Sequence, residues 1–170
     1  VFAAPDGLRD KFAYKPGQFL TLRIPSERTG SVARCYSLAS SPHTDDAPKV
    51  TVKRTSDGYG SNWLCDTVAV GDTLEVLPPA GVFTPKSFDH DFVLFGAGSG
   101  ITPVIAILKS ALTQGSGKVA LIYANRDESS VIFAEELRML AEKYPTRLTV
   151  VHWLESVQGL PSADQLATLA

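Results

Sequence analysis

The spacing of apolar residues changes midway along this chain, and this change constrains the fold more than any other feature of the sequence. In the first half, apolar and polar residues alternate, as in Phe19–Ile24, where Leu20, Leu22 and Ile24 share one face. A period of two is typical of a half-buried β-strand. In the second half, short apolar runs alternate with stretches that have the apolar spacing of helices. The sequence therefore predicts two different architectures, one after the other.

The first half is predicted to be mostly antiparallel β-structure. Turn residues such as Pro16–Gly17 and Gly71–Asp72 separate its period-two segments. The predicted strands are Phe19–Ile24, Val32–Ala39, Val50–Thr55 and Thr73–Leu77. One short helix is predicted over Ser61–Val68, with Ser61 as its N-cap. Several short strands and a single helix are typical of an antiparallel barrel or sandwich.

The second half is predicted to alternate strands and helices. The strands are Phe92–Phe95, Lys118–Ala124 and Arg147–Trp153. The first helix is predicted to start with Thr102 as its N-cap and Pro103 at the first helical position, where a missing N–H costs nothing. Its apolar stripe consists of Val104, Ile105, Ile107, Leu108, Ala111 and Leu112. Alternation of this kind implies right-handed crossovers and a parallel sheet.

Two further helices and a domain boundary complete the predicted organisation. The second helix is marked by Phe133, Leu137, Leu140, Ala141 and Tyr144, and Glu135 and Glu136 are expected on its solvated face. The third begins at Ser162, which forms a capping-box pattern with Gln165, and continues to Ala170. The polar stretch Thr84–Asp91 is the predicted linker, so the expected domains are residues 1–86 and 91–170.

Charge and cysteine content argue against several classes of protein. The 16 basic and 18 acidic residues give a net charge of −2, which provides no polybasic surface for nucleic acid or an anionic membrane. No apolar run approaches the length of a membrane-spanning helix. Cys35 and Cys65 cannot supply the four thiolates of a [2Fe–2S] centre. Reduced thiols, and hence a cytoplasmic location, are expected, and the three histidines are too scattered to predict a metal site.

The loop Gly96–Gly100 is the first candidate for a chemical role. It follows a predicted strand of the parallel sheet and precedes a helix, where free N–H groups can bind a diphosphate. Glycines let the backbone approach such an anion without a Cβ in the way. The alternative for this loop alone is an ordinary tight strand–helix turn.

The segment Arg34–Ser37 is the second candidate. An Arg, an aromatic ring and a hydroxyl could provide a phosphate clamp, a stacking surface and a hydrogen-bond donor, which together suit a flavin nucleotide. In isolation the same residues also fit an ordinary half-exposed strand.

The loop Gly58–Leu64 is the third candidate, because its glycines lead into a predicted helix and could form a second phosphate cradle. A glycine turn followed by a capped helix is the alternative. Two possible anion sites on two predicted domains suggest two nucleotides that meet at a domain interface.

Taken together, these motifs resemble the ferredoxin–NADP reductase superfamily. The resemblance rests on Arg34-x-Tyr36-Ser37, Gly58-x-x-Ser61-x-x-Leu64 and Gly96–Pro103, in this order, and covers nearly the whole chain. Further segments resemble the flavin- and iron–sulfur-containing reductases that supply oxygenases with electrons. They are Asp57–Asp66, Leu77–Gly81 and Tyr123–Asp127. The resemblance implies an antiparallel Greek-key β-barrel that binds FAD, followed by a parallel-sheet α/β domain that binds NAD(P).

The resemblance also implies a role for individual residues. Arg34 would pair with the FAD diphosphate, Tyr36 would stack on the flavin ring, and Ser37 would hydrogen-bond near flavin N5. The remaining flavin contacts would come from Val52, Lys53, Gly58, Gly60 and Ser61. The nicotinamide nucleotide would be bound by Gly98, Gly100, Thr102 and Arg126. Ser37 and Thr102 would stand at the reacting centre.

The implied activity is hydride transfer from NAD(P)H to FAD, followed by single-electron transfer to an iron–sulfur domain or ferredoxin that serves an oxygenase component. Arg126 could clamp a 2′-phosphate, whereas Asp127 and Glu128, which follow it, would repel one. The resemblance to oxygenase reductases favours NADH over NADPH. A stand-alone ferredoxin or flavodoxin reductase and a non-catalytic nucleotide-binding subunit are the alternatives.

Two family features do not occur in the sequence. No Cys-Gly-Pro triplet is found, and three predicted strands are too few for the usual sheet of the nucleotide domain. We therefore expect this chain to be a piece of a longer reductase, with an incomplete C-terminal α/β domain and with the [2Fe–2S] domain outside it.

Overall fold

The structure is a computed structural model that describes residues 1–169. Its strands are β1 (Phe19–Ser26), β2 (Gly30–Ser37), β3 (Val76–Ala80), β4 (Phe92–Ala97), β5 (Val119–Asn125) and β6 (Leu148–Leu154). Its α-helices are α1 (Tyr59–Thr67), α2 (Ile101–Gln114), α3 (Ala134–Lys143), α4 (Glu155–Gln158) and α5 (Ala163–Thr168). Short 3₁₀ turns cover Asp6–Phe12, Gly98–Gly100 and Glu128–Ser130.

The first half forms an antiparallel sheet in the order β2-β1-β3. Leu20, Leu22 and Ile24 of the central strand are buried, which confirms the face predicted from their alternation. Leu20 pairs with Tyr36 and Leu22 pairs with Arg34. The antiparallel pairing with β1 therefore fixes the positions of these two candidate residues of β2. The predicted antiparallel barrel class is confirmed.

Two strand predictions in this half are wrong. The segment predicted as the strand Val50–Thr55 makes only an isolated bridge, between Val50 and Leu38. Its end is a loop, because the Thr55 N–H donates to the Ser61 hydroxyl and the Thr55 carbonyl accepts from the Gly58 N–H. The strand predicted over Thr73–Leu77 instead spans Val76–Ala80, and its two prolines are tolerated because β3 lies at the edge of the sheet.

The second half forms the predicted parallel sheet, in the order β4-β5-β6. Helices α2 and α3 pack against it, and the whole predicted apolar stripe of α2 is buried. This core also includes Leu121 of the central strand and Leu137 of α3. The predicted α/β class is therefore confirmed.

Two predicted helix starts are wrong and one is confirmed. Helix α1 begins at Tyr59 after Gly58, so Ser61 lies inside it, and its hydroxyl donates back to the Gly58 carbonyl. Helix α2 begins at Ile101, so Thr102 is not its N-cap and Pro103 is its third residue. The Ser162–Gln165 capping box is present as predicted. Helix α5 ends at Thr168, and Ala170 lies outside the described residues.

The segment that joins the two sheets packs closely on the second one. A Cβ at Gly115 would lie 2.0 Å from the Phe88 carbonyl oxygen, and a Cβ at Gly117 would lie 2.3 Å from that of His90. Glycine is therefore required at both positions for the linker to run along the sheet. Ala39 of the first half is fully buried in the core of the second half, so the two sheets share an apolar contact.

Candidate functional site

The three candidate motifs converge on one cleft of about 630 Å³ between the two sheets. Tyr36 and Ser37 line one side, and Thr102 and Pro103 line the other. The predicted site residues that line it are Arg34, Tyr36, Ser37, Lys53, Gly58, Gly60, Ser61, Gly100 and Thr102. Val52, Gly98 and Arg126 are not among the lining residues. Segments that are distant in the sequence thus meet at one place.

Strand β2 provides the wall of the cleft on the first sheet. Partial burial raises the pKa of Tyr36 above its ordinary value, while the nearby Arg34 charge acts in the opposite direction, so the phenol stays neutral near neutral pH. Arg34 donates one hydrogen bond, of 2.8 Å, to the Ala33 carbonyl and is otherwise exposed. Its guanidinium therefore keeps donors for an anion.

The start of α1 is packed tightly around the Arg34 side chain. A Cβ at Gly60 would lie 3.0 Å from both Arg34 Cγ and Ile24 Cδ1. The Ser61 hydroxyl is used within the turn, because it accepts from the Thr55 N–H at 3.1 Å and donates to the Gly58 carbonyl at 3.1 Å. No side chain caps this helix. The first N–H groups of α1 therefore form a possible anion site beside Arg34.

The start of α2 is more open. Gly98 has a φ of +48°, and Gly100 has no atom within 4 Å of the position a Cβ would take. The Thr102 hydroxyl donates to the Ser99 carbonyl at 3.0 Å, and no side chain caps the helix. The Lys53 Nζ lies 3.9 Å from the position of a Gly98 Cβ, so a cation from the first half stands beside this loop.

Tyr123 supports the Gly98 loop from inside the sheet, a function that the sequence did not reveal. Its side chain is fully buried, and its hydroxyl donates to the Gly98 carbonyl at 2.9 Å and accepts from the Ile132 N–H at 3.2 Å. Burial raises the pKa of Tyr123, and the Ile132 contact opposes that effect. The only sequence signal was a tyrosine within an otherwise apolar strand.

Arg126 lies outside the cleft, at the end of β5. Its side chain is 79% exposed, and its Nε lies 3.1 Å from Asp127 Oδ2. The Ser129 hydroxyl and then Arg126 lower the pKa of Asp127 to about 2. A carboxylate that stays ionised thus already occupies one side of this guanidinium.

A second hollow of about 1100 Å³ adjoins the cleft, and Arg34 and Tyr59 line both. It is bordered by residues 25–30, Val32 and Trp63. The Tyr59 hydroxyl donates to the Pro25 carbonyl at 2.6 Å, which fixes the ring at the junction. The sequence did not identify Tyr59 as a separate candidate. The two hollows together form an elongated surface with Arg34 near its middle.

A grouping of metal-ligating side chains and a long apolar helix are both absent from the described residues. Within residues 1–169, no group of three or more His, Cys, Asp or Glu side chains is arranged to hold a metal ion. None of the helices in that range is long and apolar enough to span a bilayer. Cys35 and Cys65 are free thiols, as predicted, and both are exposed.

Comparison with family models agrees with this two-part architecture. The model of the oxidoreductase FAD-binding domain matches residues 5–84, and that of the oxidoreductase NAD-binding domain matches residues 94–166. This chain belongs to the ferredoxin–NADP reductase family. The family predicted from the three motifs is thereby confirmed.

Relatives within the family include reductases of oxygenases. The chain is 88% identical over 170 residues to the ferredoxin reductase component of 3-ketosteroid-9-alpha-monooxygenase from Rhodococcus rhodochrous, covering 100% of this chain and 48% of that protein. It is 35% identical over 155 residues to one of the subunits of 1,2-phenylacetyl-CoA epoxidase from Escherichia coli, covering 89% of this chain and 43% of that protein. The chain thus spans about half the length of the curated relatives it matches.

Solved structures of the ferredoxin–NADP reductase family have the same fold. The Amycolatopsis cytochrome P450 reductase GcoB superposes with a TM-score of 0.72 at 30% identity, over 84% of this chain and 43% of that chain. A Plasmodium falciparum ferredoxin–NADP+ reductase with 2′P-AMP superposes with a TM-score of 0.72 at 20% identity, over 85% of this chain and 62% of that chain. The second likeness concerns the fold alone.

Proposed function

We propose that this chain binds FAD on its barrel and a nicotinamide nucleotide on its parallel sheet, and that hydride passes between them in the cleft. The observation that carries the proposal is that Tyr36 and Ser37 line the same cleft as Thr102, although they belong to different sheets. A shared cleft brings two bound reactants into contact without diffusion. The 88% identity to a ferredoxin reductase component supports the same activity.

The chemistry of the barrel side fits FAD. Arg34 has free guanidinium donors, and the first turn of α1 has no side-chain cap, so both can bind the diphosphate. The neutral Tyr36 ring would be the stacking surface for the flavin, and Ser37 would supply a hydroxyl near flavin N5. In this proposal Val52 and Lys53 border the flavin, and Gly58, Gly60 and Ser61 act through their backbone because the Ser61 hydroxyl is already used.

The chemistry of the parallel-sheet side fits a nicotinamide nucleotide. Gly98 and Gly100 let a diphosphate approach the start of α2, and Thr102 stands where the nicotinamide would enter. Arg126 would contact the adenosine ribose. We propose NADH as the preferred donor, because the ionised Asp127 beside Arg126 would repel a 2′-phosphate.

The residues of the chain bind, orient and exclude water, and the cofactor supplies the redox chemistry. When bound, FAD accepts hydride from a nicotinamide and releases electrons singly. Tyr36 would support the flavin ring from one side of the cleft and Thr102 the nicotinamide ring from the other, and Ser37 would offer a hydroxyl donor at the edge of the flavin site. Two rings that fill the cleft would displace water from the path of the hydride.

We further propose that the electrons pass to an iron–sulfur domain or ferredoxin and then to an oxygenase component, as the names of the relatives suggest. The motifs favour a steroid 9α-hydroxylase system over the phenylacetyl-CoA epoxidase system, and the 88% against 35% identity supports that order. A cytoplasmic location and a domain boundary within residues 84–91 belong to the same proposal.

The proposal is tested by visible absorbance of the purified protein. A yellow protein whose flavin bands are bleached by NADH without oxygen is the expected result. A flavin protein that NADH does not bleach would indicate a non-catalytic nucleotide-binding subunit, and a colourless protein that ignores added FAD would overturn the proposal. Reduction of free ferredoxin or flavodoxin, without an iron–sulfur domain, would favour the stand-alone reductase.

Ser37→Ala tests the role at the reacting centre. We expect it to retain FAD and to slow flavin reduction by about 100-fold, the lower end of the range for loss of one positioned hydrogen-bond donor. Stopped-flow reduction with NADH measures this rate. Ser56→Ala, which removes an exposed hydroxyl outside the cleft, is the control. An unchanged rate in Ser37→Ala would remove Ser37 from the proposed site.

A further inference from the structure

A buried ion cluster connects the two sheets away from the cleft. The Lys109 side chain, on α2, is 5% exposed, and its Nζ lies 2.9 Å from Asp45 Oδ2 and 2.9 Å from Glu136 Oε1. Asp45 belongs to the barrel half, whereas Glu136 belongs to α3. Glu136 was expected on a solvated face, so the structure corrects that expectation. One ammonium thus joins carboxylates from both halves of the molecule.

A pair of serines lies beside this cluster. Ser41 of the barrel half and Ser110 of α2 are both fully buried, with their Oγ atoms 2.8 Å apart. Ser110 donates to the Ala106 carbonyl at 2.8 Å, so it accepts the hydrogen bond from Ser41. Ser41 Oγ also accepts from the His43 N–H at 3.1 Å. We refer to Ser41, Asp45, Lys109, Ser110 and Glu136 as the interdomain clamp.

The loop that carries Asp45 is organised around its carboxylate. Oδ2 accepts from the Ser41 N–H at 2.9 Å and from the Thr44 hydroxyl at 3.1 Å. Burial by itself would raise the pKa of Asp45, but the hydrogen bonds from Lys109 and Ser41 outweigh it and lower the pKa below its ordinary value. Lys49 adds a weaker contact, at 3.9 Å. The carboxylate therefore stays ionised at neutral pH.

The two sides of the interdomain clamp are each connected along the chain to one wall of the cleft. On the barrel side, Ser41 follows Ser37 through the fully buried Leu38 and Ala39. On the other side, Lys109 and Ser110 lie about two helical turns after Thr102 on the same helix. A packed segment and a rigid helix thus connect the clamp to Ser37 and Thr102.

We propose that the interdomain clamp sets the separation between the Ser37 and Thr102 walls of the cleft, which makes Lys109 and Ser110 positioning residues for hydride transfer. This inference rests on the function proposed above. The Ser41 and Ser110 hydroxyls pair with each other across the seam, and the Lys109 ammonium pairs with Asp45 across it, so this placement of the two sheets satisfies the buried polar groups. Because a misplacement of about 1 Å can slow a reaction about 100-fold, such a constraint matters for rate.

The test compares Lys109→Met and Ser110→Ala with Arg138→Met in the FAD-loaded protein. Arg138 pairs with Glu135 and Glu142 on the exposed face of α3, so its loss removes an ion pair that does not cross the seam. The first readout is the rate of flavin reduction at saturating NADH, together with the NADH concentration that gives half of that rate. The second readout, hydrogen exchange of residues 38–45 and of α2, does not depend on hydride transfer.

We expect Lys109→Met to lower the saturating rate by about tenfold or more, with a smaller change in the half-saturating NADH concentration. In Lys109→Met, hydrogen exchange of residues 38–45 should also become faster. Ser110→Ala should change the reduction rate and the exchange in the same directions but by less, and Arg138→Met should match the wild type in both. Where Lys109→Met gives no folded protein, Ser110→Ala decides alone, because it removes only one hydroxyl.

Two results would overturn the inference. Faster exchange with an unchanged reduction rate would mean that the clamp is structural only, and unchanged exchange and rate would mean that it constrains nothing. If NADH fails to reduce the flavin of the wild-type protein, the proposed function fails and the positioning role fails with it. The exchange result would still show whether the clamp holds the two sheets together.

Discussion

The two glycine loops that enter the cleft differ in what surrounds their glycines. At the start of α1, a Cβ on Gly60 would meet Arg34 and Ile24 at 3.0 Å. At the start of α2, a Cβ on Gly100 would meet no atom within 4 Å. The first loop therefore needs glycine for its own packing, whereas the second leaves space in which a ligand can approach the backbone. The same residue type thus has packed neighbours in one loop and open space around it in the other.

Among the variants that test this difference between the two loops, Arg34→Ala should have the largest effect. Loss of a charge-assisted contact should weaken FAD binding by roughly 1.5–3 kcal/mol. Flavin fluorescence titration measures the dissociation constant. Arg23→Ala, which removes an exposed Arg paired with Glu75 on the opposite side of β1 from β2, is the matched control. If Arg34→Ala binds FAD as tightly as the wild type, the diphosphate has been placed wrongly.

Gly60→Ala should damage the first loop through packing. The added methyl would force Arg34 and Ile24 apart, and overpacking of this kind costs about 1–3 kcal/mol. We expect a lower melting temperature without ligand and weaker FAD binding, measured by thermal unfolding and by titration. Gly7→Ala, at a position with no atom within 4 Å of the new methyl, controls for the substitution itself. An unchanged melting temperature in Gly60→Ala would contradict the proposed difference in packing between the two loops.

Gly100→Ala should leave the stability of the protein unchanged and weaken the binding of NADH. Its φ of −63° suits alanine and its surroundings are open, so unfolding should be unaffected. The methyl would stand where the nucleotide diphosphate approaches, and we expect NADH binding to weaken by about tenfold, or about 1.4 kcal/mol. Steady-state kinetics and thermal unfolding separate the two effects. Loss of stability with unchanged NADH binding would contradict a ligand role for this loop.

Asp127→Asn is expected to have the smallest effect, on the choice of donor. The substitution removes the carboxylate that is paired with Arg126, so the guanidinium becomes available to a 2′-phosphate. The preference for NADH over NADPH should fall by only about a few-fold, because solvent screens an exposed ion pair. Ratios of kcat/KM for the two donors measure it. An unchanged ratio would mean that Asp127 does not determine the donor.

The sequence predicted the second half of the molecule better than the first. The buried apolar stripe of α2 was predicted correctly because the helical spacing of apolar residues shows directly which side chains face the core. The strand expected over Val50–Thr55 was wrong because Thr55 bonds to Gly58 and Ser61, which are local loop partners that a period-two pattern does not reveal. For the same reason Ser61 was taken for an N-cap when it lies inside the helix.

The parts of the site that the sequence did not reveal depend on contacts between distant segments. Nothing local to Glu136 distinguishes a residue that binds a buried lysine from one on a solvated face, because Lys109 lies on another helix. Tyr123 supports the Gly98 loop through a hydrogen bond across the end of the sheet. By contrast, Tyr36, Ser37 and Thr102 were identified as candidates from ordered motifs, and the fold places them on one cleft.

Stopped-flow reduction with NADH deuterated at the transferred position of C4 tests the central claim most directly. If hydride passes straight from nicotinamide to flavin in this cleft, bleaching of the flavin should be slower with the deuterated donor, and Gly100→Ala should not abolish that difference. Bound flavin that stays oxidised with both donors, while the protein remains folded and retains FAD, would contradict hydride transfer in this cleft.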